Sequence, residues 1–295
     1  MRDDSLLTNI IKSLRPRQWI KNLLIFAGLI FSQNLFNIHM VSETVLAFFI
    51  FCIVSGAIYI LNDIIDLPFD RINPLKAKRP LASGKLSVTC AKLTVSVLIP
   101  LSLLGAYLLN PRFFIVVLSY IVLQVLYSFY LKNIPILDIF SISFGSVLRV
   151  IAGTVVINVS ISSWLLICTI LLALLLALSK RRYELTVFDE DARSKRKVLG
   201  EYTPYLLDQM ISVVTSSVLI TYSLYTMSQE TVERFGNRYL VVTVPFVLYG
   251  IFRYLYLIYR KGLGDSPEGI FLLDRPLLID IVLWIISVLL VIYLL

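Results

Sequence analysis

The chain has 295 residues, of which 58% are hydrophobic and only 16% are charged. Soluble domains carry about 25% charged residues, so this composition excludes an ordinary soluble enzyme and indicates a membrane protein. The net charge is +8, but the bases are divided among loops between apolar runs, so nucleic-acid binding is not expected. His39 is the single histidine, which excludes a histidine-cluster metal site and a Ser-His-Asp relay.

Apolar runs of about 20 residues, the length that crosses a bilayer as a helix, recur along the chain. They are continuously apolar rather than alternating, which favours helices over a β-barrel. We predict one all-α, polytopic transmembrane domain over residues 1–295, with nine helices at residues 20–38, 43–66, 88–109, 112–131, 136–158, 162–179, 208–227, 238–259 and 276–295. The first run is the weakest, and a signal peptide is the alternative there.

The lysines and arginines orient these predicted spans. Most of the 27 basic residues fall in every second loop, and cytoplasmic loops are enriched in such residues. The amino terminus is therefore predicted to be cytoplasmic, and the carboxyl terminus to lie on the outer side of the inner (plasma) membrane. The same excess of positive charge attracts anionic lipid.

The second predicted span ends in the acidic sequence Asn62-Asp63-Ile64-Ile65-Asp66-Leu67-Pro68-Phe69-Asp70. In a continued helix, Asp63 and Asp66 lie about 60° apart and Asp63 and Asp70 about 20° apart, although Pro68 can distort this geometry. Such carboxylates repel one another, and the negative end of the helix dipole adds to the repulsion. Because Mg²⁺ takes oxygen ligands, we predict that Asn62 and the three aspartates form a catalytic magnesium site on the cytoplasmic side.

The loop that follows, residues 71–85, combines bases with prolines and a glycine. Its bases, Arg71, Lys76 and Arg79, can bind phosphate oxygens that a metal leaves free, which predicts a pyrophosphate site. Ordinary surface salt bridges between these bases and the acids are the alternative.

Arg149 is a further candidate for binding substrate, because a charge inside a span is costly and usually functional. Snorkelling or helix packing is the alternative for Arg149.

At these residues the sequence resembles the UbiA superfamily of intramembrane prenyltransferases, whose members share nine helices and an Asn-Asp-x-x-Asp-x-x-x-Asp motif in the second helix. Within it, the chain is most similar to the branch that transfers 5-phosphoribose from phosphoribosyl pyrophosphate to a polyprenyl phosphate. The resemblance covers essentially the whole chain and rests on segments 14–22, 70–84, 148–153, 180–185, 196–203 and 264–275.

The loop after the sixth predicted span separates this branch from aromatic prenyltransferases, which have a second Asp-rich motif there. The present chain has Lys180-Arg181-Arg182-Tyr183-Glu184 instead, and the later Asp189, Glu190 and Asp191 do not reproduce the spacing. A basic second site fits a reaction that gathers a pyrophosphate, a sugar phosphate and a lipid phosphate. The resemblance thus implies magnesium-dependent formation of polyprenylphosphoryl-5-phosphoribose, a cell-envelope glycolipid precursor.

Under this hypothesis the sugar and lipid phosphates are bound by bases on two segments, Arg17, Lys21, Lys180 and Arg181. Glu184 positions a ribose hydroxyl, orients a neighbouring base or forms a structural ion pair.

The polyprenyl chain length and the formation of a homo-oligomer are left open. One competing hypothesis is prenyl transfer to an aromatic or quinone precursor, for which an acidic second motif is expected. The other is a lipid or ion transporter, which predicts internal repeats or interrupted mid-membrane helices.

Overall fold

The computed structural model describes residues 5–73, 76–187, 197–264 and 267–295, and the regular elements in these ranges are all helices. The α-helices are α1 (Leu6–Ser13), α2 (Phe26–Phe31), α3 (Ile38–Ile65), α4 (Leu67–Ile72), α5 (Val88–Leu109), α6 (Pro111–Phe129), α7 (Leu137–Val156), α8 (Ser163–Val187), α9 (Lys197–Gly200), α10 (Pro204–Met227), α11 (Gln229–Phe235), α12 (Val244–Lys261), α13 (Pro267–Leu273) and α14 (Arg275–Tyr293). Three 3-10 helices lie between them, at Pro16–Ile25, Leu131–Asn133 and Tyr239–Thr243. The predicted all-α fold is confirmed.

Polar caps followed by proline fix where several long helices begin. The Asn110 side chain accepts hydrogen bonds from two backbone N–H groups in the first turn of α6, where Pro111 stands. Thr203 and Pro204 have the same arrangement at the start of α10. The cap oxygen satisfies a donor that the helix leaves free, and proline has no such donor to lose.

Eight helical segments in the described ranges are long and apolar enough to cross a membrane, by length and composition. They coincide with eight of the nine predicted spans, so the chain is a multi-pass membrane protein. The first predicted span, 20–38, differs from the prediction. The chain there forms the 3-10 helix Pro16–Ile25 and the six-residue α2, after which Gln33 has a φ of 60°. The predicted count of nine spanning α-helices is therefore close but not exact.

The chain divides into two compact units, each of which is described by itself. The first comprises Met1–Leu29, Asn34–Leu131 and Leu148–Ser160, and the second comprises Ile30–Gln33, Lys132–Val147 and Ile161–Leu295. In the first unit, α3 packs against α5, α6 and the first 3-10 helix around buried side chains such as Phe51 and Phe113. In the second, α8 packs on α10 and α12 on α14 around Leu175 and Leu207. The single domain over residues 1–295 stays a prediction.

Within the first unit, the first 3-10 helix lies directly against α7. A Cβ atom added to Gly153 would lie 1.8 Å from the carbonyl oxygen of Ile25, and one added to Gly28 would lie 2.7 Å from a side-chain atom of α7. Only glycine allows the two backbones to approach this closely. This contact holds the segment that carries Arg17 and Lys21.

Candidate functional site

The acidic motif lies where α3 ends and α4 begins. Asp66 has φ −87° and ψ 3°, which is not helical, and Pro68 follows in the first turn of α4. Proline cannot donate a backbone hydrogen bond, so the helical ladder is interrupted there. The bonds from Asp66 N to Asn62 O and from Asp70 N to Asp66 O, 2.8 and 2.9 Å long, keep the chain on a nearly helical course. The acids therefore remain neighbours, although α3 itself stops at Ile65.

Asp63 and Asp70 share one cationic nitrogen. Nη1 of Arg79 donates to Asp63 Oδ1 at 3.0 Å and to Asp70 Oδ2 at 2.6 Å. Nζ of Lys76 lies 3.5 Å from the other oxygen of Asp70. The two carboxylates are 5% and 2% exposed, so they require cationic partners to remain charged. The structure thus brings together four of the predicted site residues.

Arg15 is a further partner of Asp63. Its Nη2 donates to Asp63 Oδ1 at 2.5 Å, and its guanidinium lies over the Tyr59 ring, 4.9 Å from the ring centre. Arg15 has φ 53° and ψ 63°, a left-handed conformation that costs a non-glycine residue on the order of 1–3 kcal/mol. The contacts with Asp63 and Tyr59 favour this conformation, which places the guanidinium on the acid.

The remaining residues of the motif are less buried. Asn62 is half-buried, and its side-chain oxygen is hydrogen-bonded to the hydroxyl of Ser128, near the end of α6. Asp66 is half-buried as well. An amide oxygen held in this way is available as a fixed acceptor beside the carboxylates.

Three predicted phosphate ligands, Arg17, Lys21 and Arg71, are exposed. Arg17 and Lys21 lie on the first 3-10 helix, and Arg71 lies on α4, directly after Asp70. These side chains are accessible to a soluble anion.

Arg149 is buried in a polar network of the first unit. Its Nε donates to Asn22 Oδ1 at 2.7 Å and its Nη2 to the Tyr120 hydroxyl at 2.9 Å. The Asn22 amide in turn donates to Ser55 Oγ at 3.2 Å. With 5% of its surface exposed, Arg149 joins α7 to α6 and to the first 3-10 helix. It thereby holds in place the segment that carries Lys21.

In the second unit, Arg181 is buried between two carboxylates. Its Nε donates to Asp138 Oδ2 at 2.6 Å and its Nη1 to Glu184 Oε2 at 2.5 Å. Arg181 is 2% exposed and Asp138 is fully buried. Glu184 is thus ion-paired with Arg181, a contact that fits both the base-orienting and the structural ion-pair alternative. Lys180, one residue earlier, is half-buried.

Tyr202 extends this network in the second unit. Its hydroxyl donates to Asp138 Oδ1 at 2.8 Å and accepts from the backbone N–H of Ile136 at 2.6 Å. Burial raises the pKa of Tyr202 above its usual value, so the phenol stays protonated and remains a donor. Ile136 has φ 70°, which is unfavourable for a β-branched residue. The hydrogen bond to Tyr202 helps to hold that conformation.

The donor set at the end of α3 fits a magnesium ion only together with further ligands. In the ranges that the structure describes, no three His, Cys, Asp or Glu side chains are grouped closely enough to hold a metal by themselves. Nη1 of Arg79 nevertheless occupies a position between Asp63 and Asp70 that a cation can take. Mg²⁺ usually combines one or two carboxylates with water and substrate phosphate oxygens, and these two acids supply that share.

Sequence reasoning missed the residues that hold the candidate side chains. Arg15 belongs to the amino-terminal segment of the resemblance, but 48 residues separate it from Asp63 and no local pattern pairs the two. Ser128 and Asp138 stand among apolar or neutral residues and carry no local signal, and Tyr202 belongs to segment 196–203 of the resemblance, which does not pair it with Asp138. Asp189, Glu190 and Asp191, which were compared with the second acidic motif, lie outside the described residues.

Comparison with known sequences agrees with the resemblance to the UbiA superfamily. The profile of the UbiA prenyltransferase family matches residues 23–272. The decaprenyl-phosphate phosphoribosyltransferase of Corynebacterium glutamicum is 32% identical over 295 residues, which cover 98% of this chain and 88% of that protein. The protein of the same name from Mycobacterium tuberculosis is 30% identical, covering 96% of this chain and 94% of the relative.

The fold is also that of a solved structure. A UbiA homologue from Archaeoglobus fulgidus, bound to DMAPP and Mg²⁺, matches 97% of this chain and 100% of its own with a TM-score of 0.72. The sequence identity is 20%, so this likeness supports the fold alone.

Proposed function

We propose, from the premise that the chain belongs to the UbiA prenyltransferase family, that it transfers 5-phosphoribose from phosphoribosyl pyrophosphate to a polyprenyl phosphate. The products are pyrophosphate and polyprenylphosphoryl-5-phosphoribose, a precursor for cell-envelope glycolipids. The names of the two relatives, which are similar over nearly the whole chain, support this reaction. The observation that carries the proposal is the pair of buried acids, Asp63 and Asp70, around the guanidinium of Arg79.

The acidic end of α3 is the proposed magnesium site. Asp63 and Asp70 would hold the ion, with Asp66 and the amide oxygen of Asn62 as further ligands. When bound, Mg²⁺ neutralises the charge that develops on the departing pyrophosphate. Carboxylates, water and substrate phosphates together form the usual environment of this ion.

The bases beside the acids would hold the pyrophosphate. Arg79 and Lys76 already contact the carboxylates, and Arg79 is 27% exposed, so its side chain can reach both an acid and a bound anion. Arg15 shares Asp63 and can supply a second guanidinium. Guanidinium groups bind phosphate oxygens through two parallel hydrogen bonds, which also fix the orientation of the substrate.

The reaction is a displacement at C1 of the ribose. An oxygen of the polyprenyl phosphate forms the new bond to C1, and the bond from C1 to the pyrophosphate oxygen breaks with its electron pair on pyrophosphate. A phosphate monoester is already an anion at neutral pH, so no strong general base is required. The exposed bases Arg17, Lys21 and Arg71 are our candidates for holding the sugar and lipid phosphates.

Arg149 and Arg181 take a different part in this proposal from the one that the sequence suggested. Both are buried in networks of protein groups, Arg149 with Asn22 and Arg181 with Asp138 and Glu184. We propose that they position the segments that carry Lys21 and Lys180 rather than bind substrate themselves. Lys180 stays a candidate phosphate ligand of the second unit.

The proposed location is the inner (plasma) membrane, with the amino terminus and the acidic end of α3 on the cytoplasmic side. The clustering of lysine and arginine in alternate loops supports this orientation. Phosphoribosyl pyrophosphate is soluble and would arrive from the cytoplasm, whereas the polyprenyl phosphate would arrive through the bilayer.

The proposed function is tested with purified protein in liposomes that contain a polyprenyl phosphate. With Mg²⁺ and phosphoribosyl pyrophosphate labelled in the ribose, we expect a labelled lipid that is absent without Mg²⁺. The Asp63→Asn variant should lose this product, because the remaining acids hold the ion poorly. Absence of labelled lipid, together with transfer of a prenyl group from a prenyl pyrophosphate to an aromatic acid, would contradict the proposal.

A further inference from the structure

Bases of the protein already neutralise Asp63 and Asp70 without any metal. Three bases contact these two acids, Arg15, Lys76 and Arg79. Asp63 Oδ1 is in contact with two guanidinium groups, and both oxygens of Asp70 have a cationic partner. Three of the four carboxylate oxygens of Asp63 and Asp70 are thus in contact with cationic side chains of the protein itself.

We infer that Arg79, assisted by Arg15, is an internal counter-ion that keeps metal alone out of this site and releases the acids when metal and pyrophosphate arrive together. The inference rests on the proposed function in one respect, the assignment of Asp63 and Asp70 as metal ligands. It adds that the bases do more than bind phosphate, because they couple the binding of the two ligands.

The binding of metal and of pyrophosphate is coupled because the displaced guanidinium of Arg79 needs a new anionic partner. A divalent ion that enters alone must displace the Arg79 guanidinium from Asp63 and Asp70, which leaves that cation without an anionic partner. Pyrophosphate supplies the missing partner, so the displaced guanidinium passes from the carboxylates to a phosphate oxygen. Each ligand therefore strengthens the binding of the other by the same factor.

The geometry allows this exchange without unfolding the loop. The Arg79 side chain is 27% exposed, whereas both acids are nearly buried. The loop backbone is fixed by hydrogen bonds from Arg79 N to Lys76 O, from Ser83 N to Arg79 O and from Leu86 N to Pro80 O, each 2.9 Å long. Only the side chain of Arg79 has to move.

The test measures Mn²⁺ binding to the full-length protein in nanodiscs by electron paramagnetic resonance, with and without inorganic pyrophosphate. The binding of Mn²⁺ to pyrophosphate in buffer is measured separately and subtracted. For the unsubstituted protein we expect weak binding of Mn²⁺ alone, tightened roughly 5-fold to 150-fold by pyrophosphate. For Arg79→Gln we expect tighter binding of Mn²⁺ alone, by about fivefold or more, and loss of most of the tightening by pyrophosphate.

Two further variants are the controls for the Mn²⁺ binding measurement. Lys78→Gln removes the same unit of charge one residue away, from an exposed side chain, and should bind Mn²⁺ like the unsubstituted protein. Asp63→Asn removes a proposed ligand and should abolish the site, which identifies the Mn²⁺ signal that belongs to it.

The inference is overturned if Arg79→Gln binds Mn²⁺ alone no more tightly than the unsubstituted protein. It is also overturned if Lys78→Gln tightens binding equally, because the effect would then be one of net charge. Should Arg79→Gln fail to fold, Arg15→Gln decides the question, since it removes the other guanidinium from Asp63 and should change Mn²⁺ binding in the same direction. The assay contains neither a ribose donor nor a lipid acceptor, so failure of phosphoribosyl transfer would leave its result unaffected.

Discussion

Arg79 and Arg181 each lie between two carboxylates, but their exposure differs. Arg79 is 27% exposed and lies on a loop, whereas Arg181 is 2% exposed and lies within α8. A partly exposed guanidinium can change its partner from a carboxylate to a phosphate, because water and substrate reach it. A buried guanidinium with two fixed partners cannot leave, because its departure would leave two carboxylates unpaired in a medium of low polarity. The difference in exposure thus suits Arg79 to exchange with a ligand and Arg181 to a structural ion pair.

Removal of Arg181 should therefore affect stability first. In Arg181→Met, the carboxylates of Asp138 and Glu184 lose their common partner, and a buried charge without a partner costs on the order of 3–5 kcal/mol. We expect a large decrease in the thermal unfolding temperature of the detergent-solubilised protein, measured at a fixed heating rate.

Arg182→Met is the matched control in the same helix. Arg182 pairs with Asp208, whose side chain is 34% exposed, and a more exposed pair contributes only about 0–1 kcal/mol. If Arg181→Met and Arg182→Met both unfold at the temperature of the unsubstituted protein, the network around Arg181 does not stabilise the second unit.

The candidate site was predictable from the sequence as far as its residues are close along the chain. Asp63, Asp70 and Arg79 fall within a short segment, so helical spacing and a following loop were sufficient to bring them together. Arg15 reaches Asp63 from a distant segment through a left-handed conformation, which no local pattern reveals. Whether a base binds substrate or a protein carboxylate depends on burial, as Arg181 shows, and burial is set by tertiary packing.

At the scale of elements, the long helices followed from continuous apolar runs of sufficient length. The first predicted span differs in helix type because its structure depends on a contact with another helix. The 3-10 helix Pro16–Ile25 rests on Gly153 of α7, more than a hundred residues away, and hydropathy carries no information about that contact. A 3-10 helix of this length is uncommon and indicates a segment held by its surroundings.

Gly153 should therefore tolerate no side chain. In Gly153→Ala the new Cβ would lie 1.8 Å from the backbone oxygen of Ile25, so the 3-10 helix or α7 must shift. Overpacking of this kind typically costs about 1–3 kcal/mol, and we expect a lower thermal unfolding temperature.

Gly105→Ala provides the comparison for this substitution. Gly105 lies inside α5, and a Cβ there would lie 3.7 Å from the Ile50 side chain, an ordinary contact. Alanine in a helix interior is favoured over glycine by about 0.5–1 kcal/mol, so this variant should be as stable as the unsubstituted protein or more so. Equal loss in both variants would show that the contact at Gly153 is not specific.

For the whole molecule, the membrane topology depends on whether the first segment, Pro16–Phe31, crosses the membrane. Pro16–Ile25 rises about 20 Å at 2.0 Å per residue, and α2 adds about 9 Å at 1.5 Å per residue. The first part of this length carries the exposed bases Arg17 and Lys21, so the apolar part alone is shorter than the hydrocarbon thickness of about 30 Å. Arg15, directly before this segment, nevertheless contacts Asp63 at the end of α3, and the segment leads to the start of α3 at Ile38, so it runs along α3 from one end to the other.

We accordingly expect the two termini to lie on opposite sides of the membrane, with the amino terminus on the same side as the acidic end of α3. Reporter domains fused to each terminus, one active only in the cytoplasm and one only outside it, measure this directly. A reporter inserted beside α11 is the control. Five membrane-spanning helices separate α11 from the end of α3, so this reporter must lie on the side opposite to the end of α3 whether or not the first segment crosses. Reporters that place both termini on the side of the α11 insertion would contradict the crossing, because the segment Pro16–Phe31 would then remain on one face and eight helices alone would span.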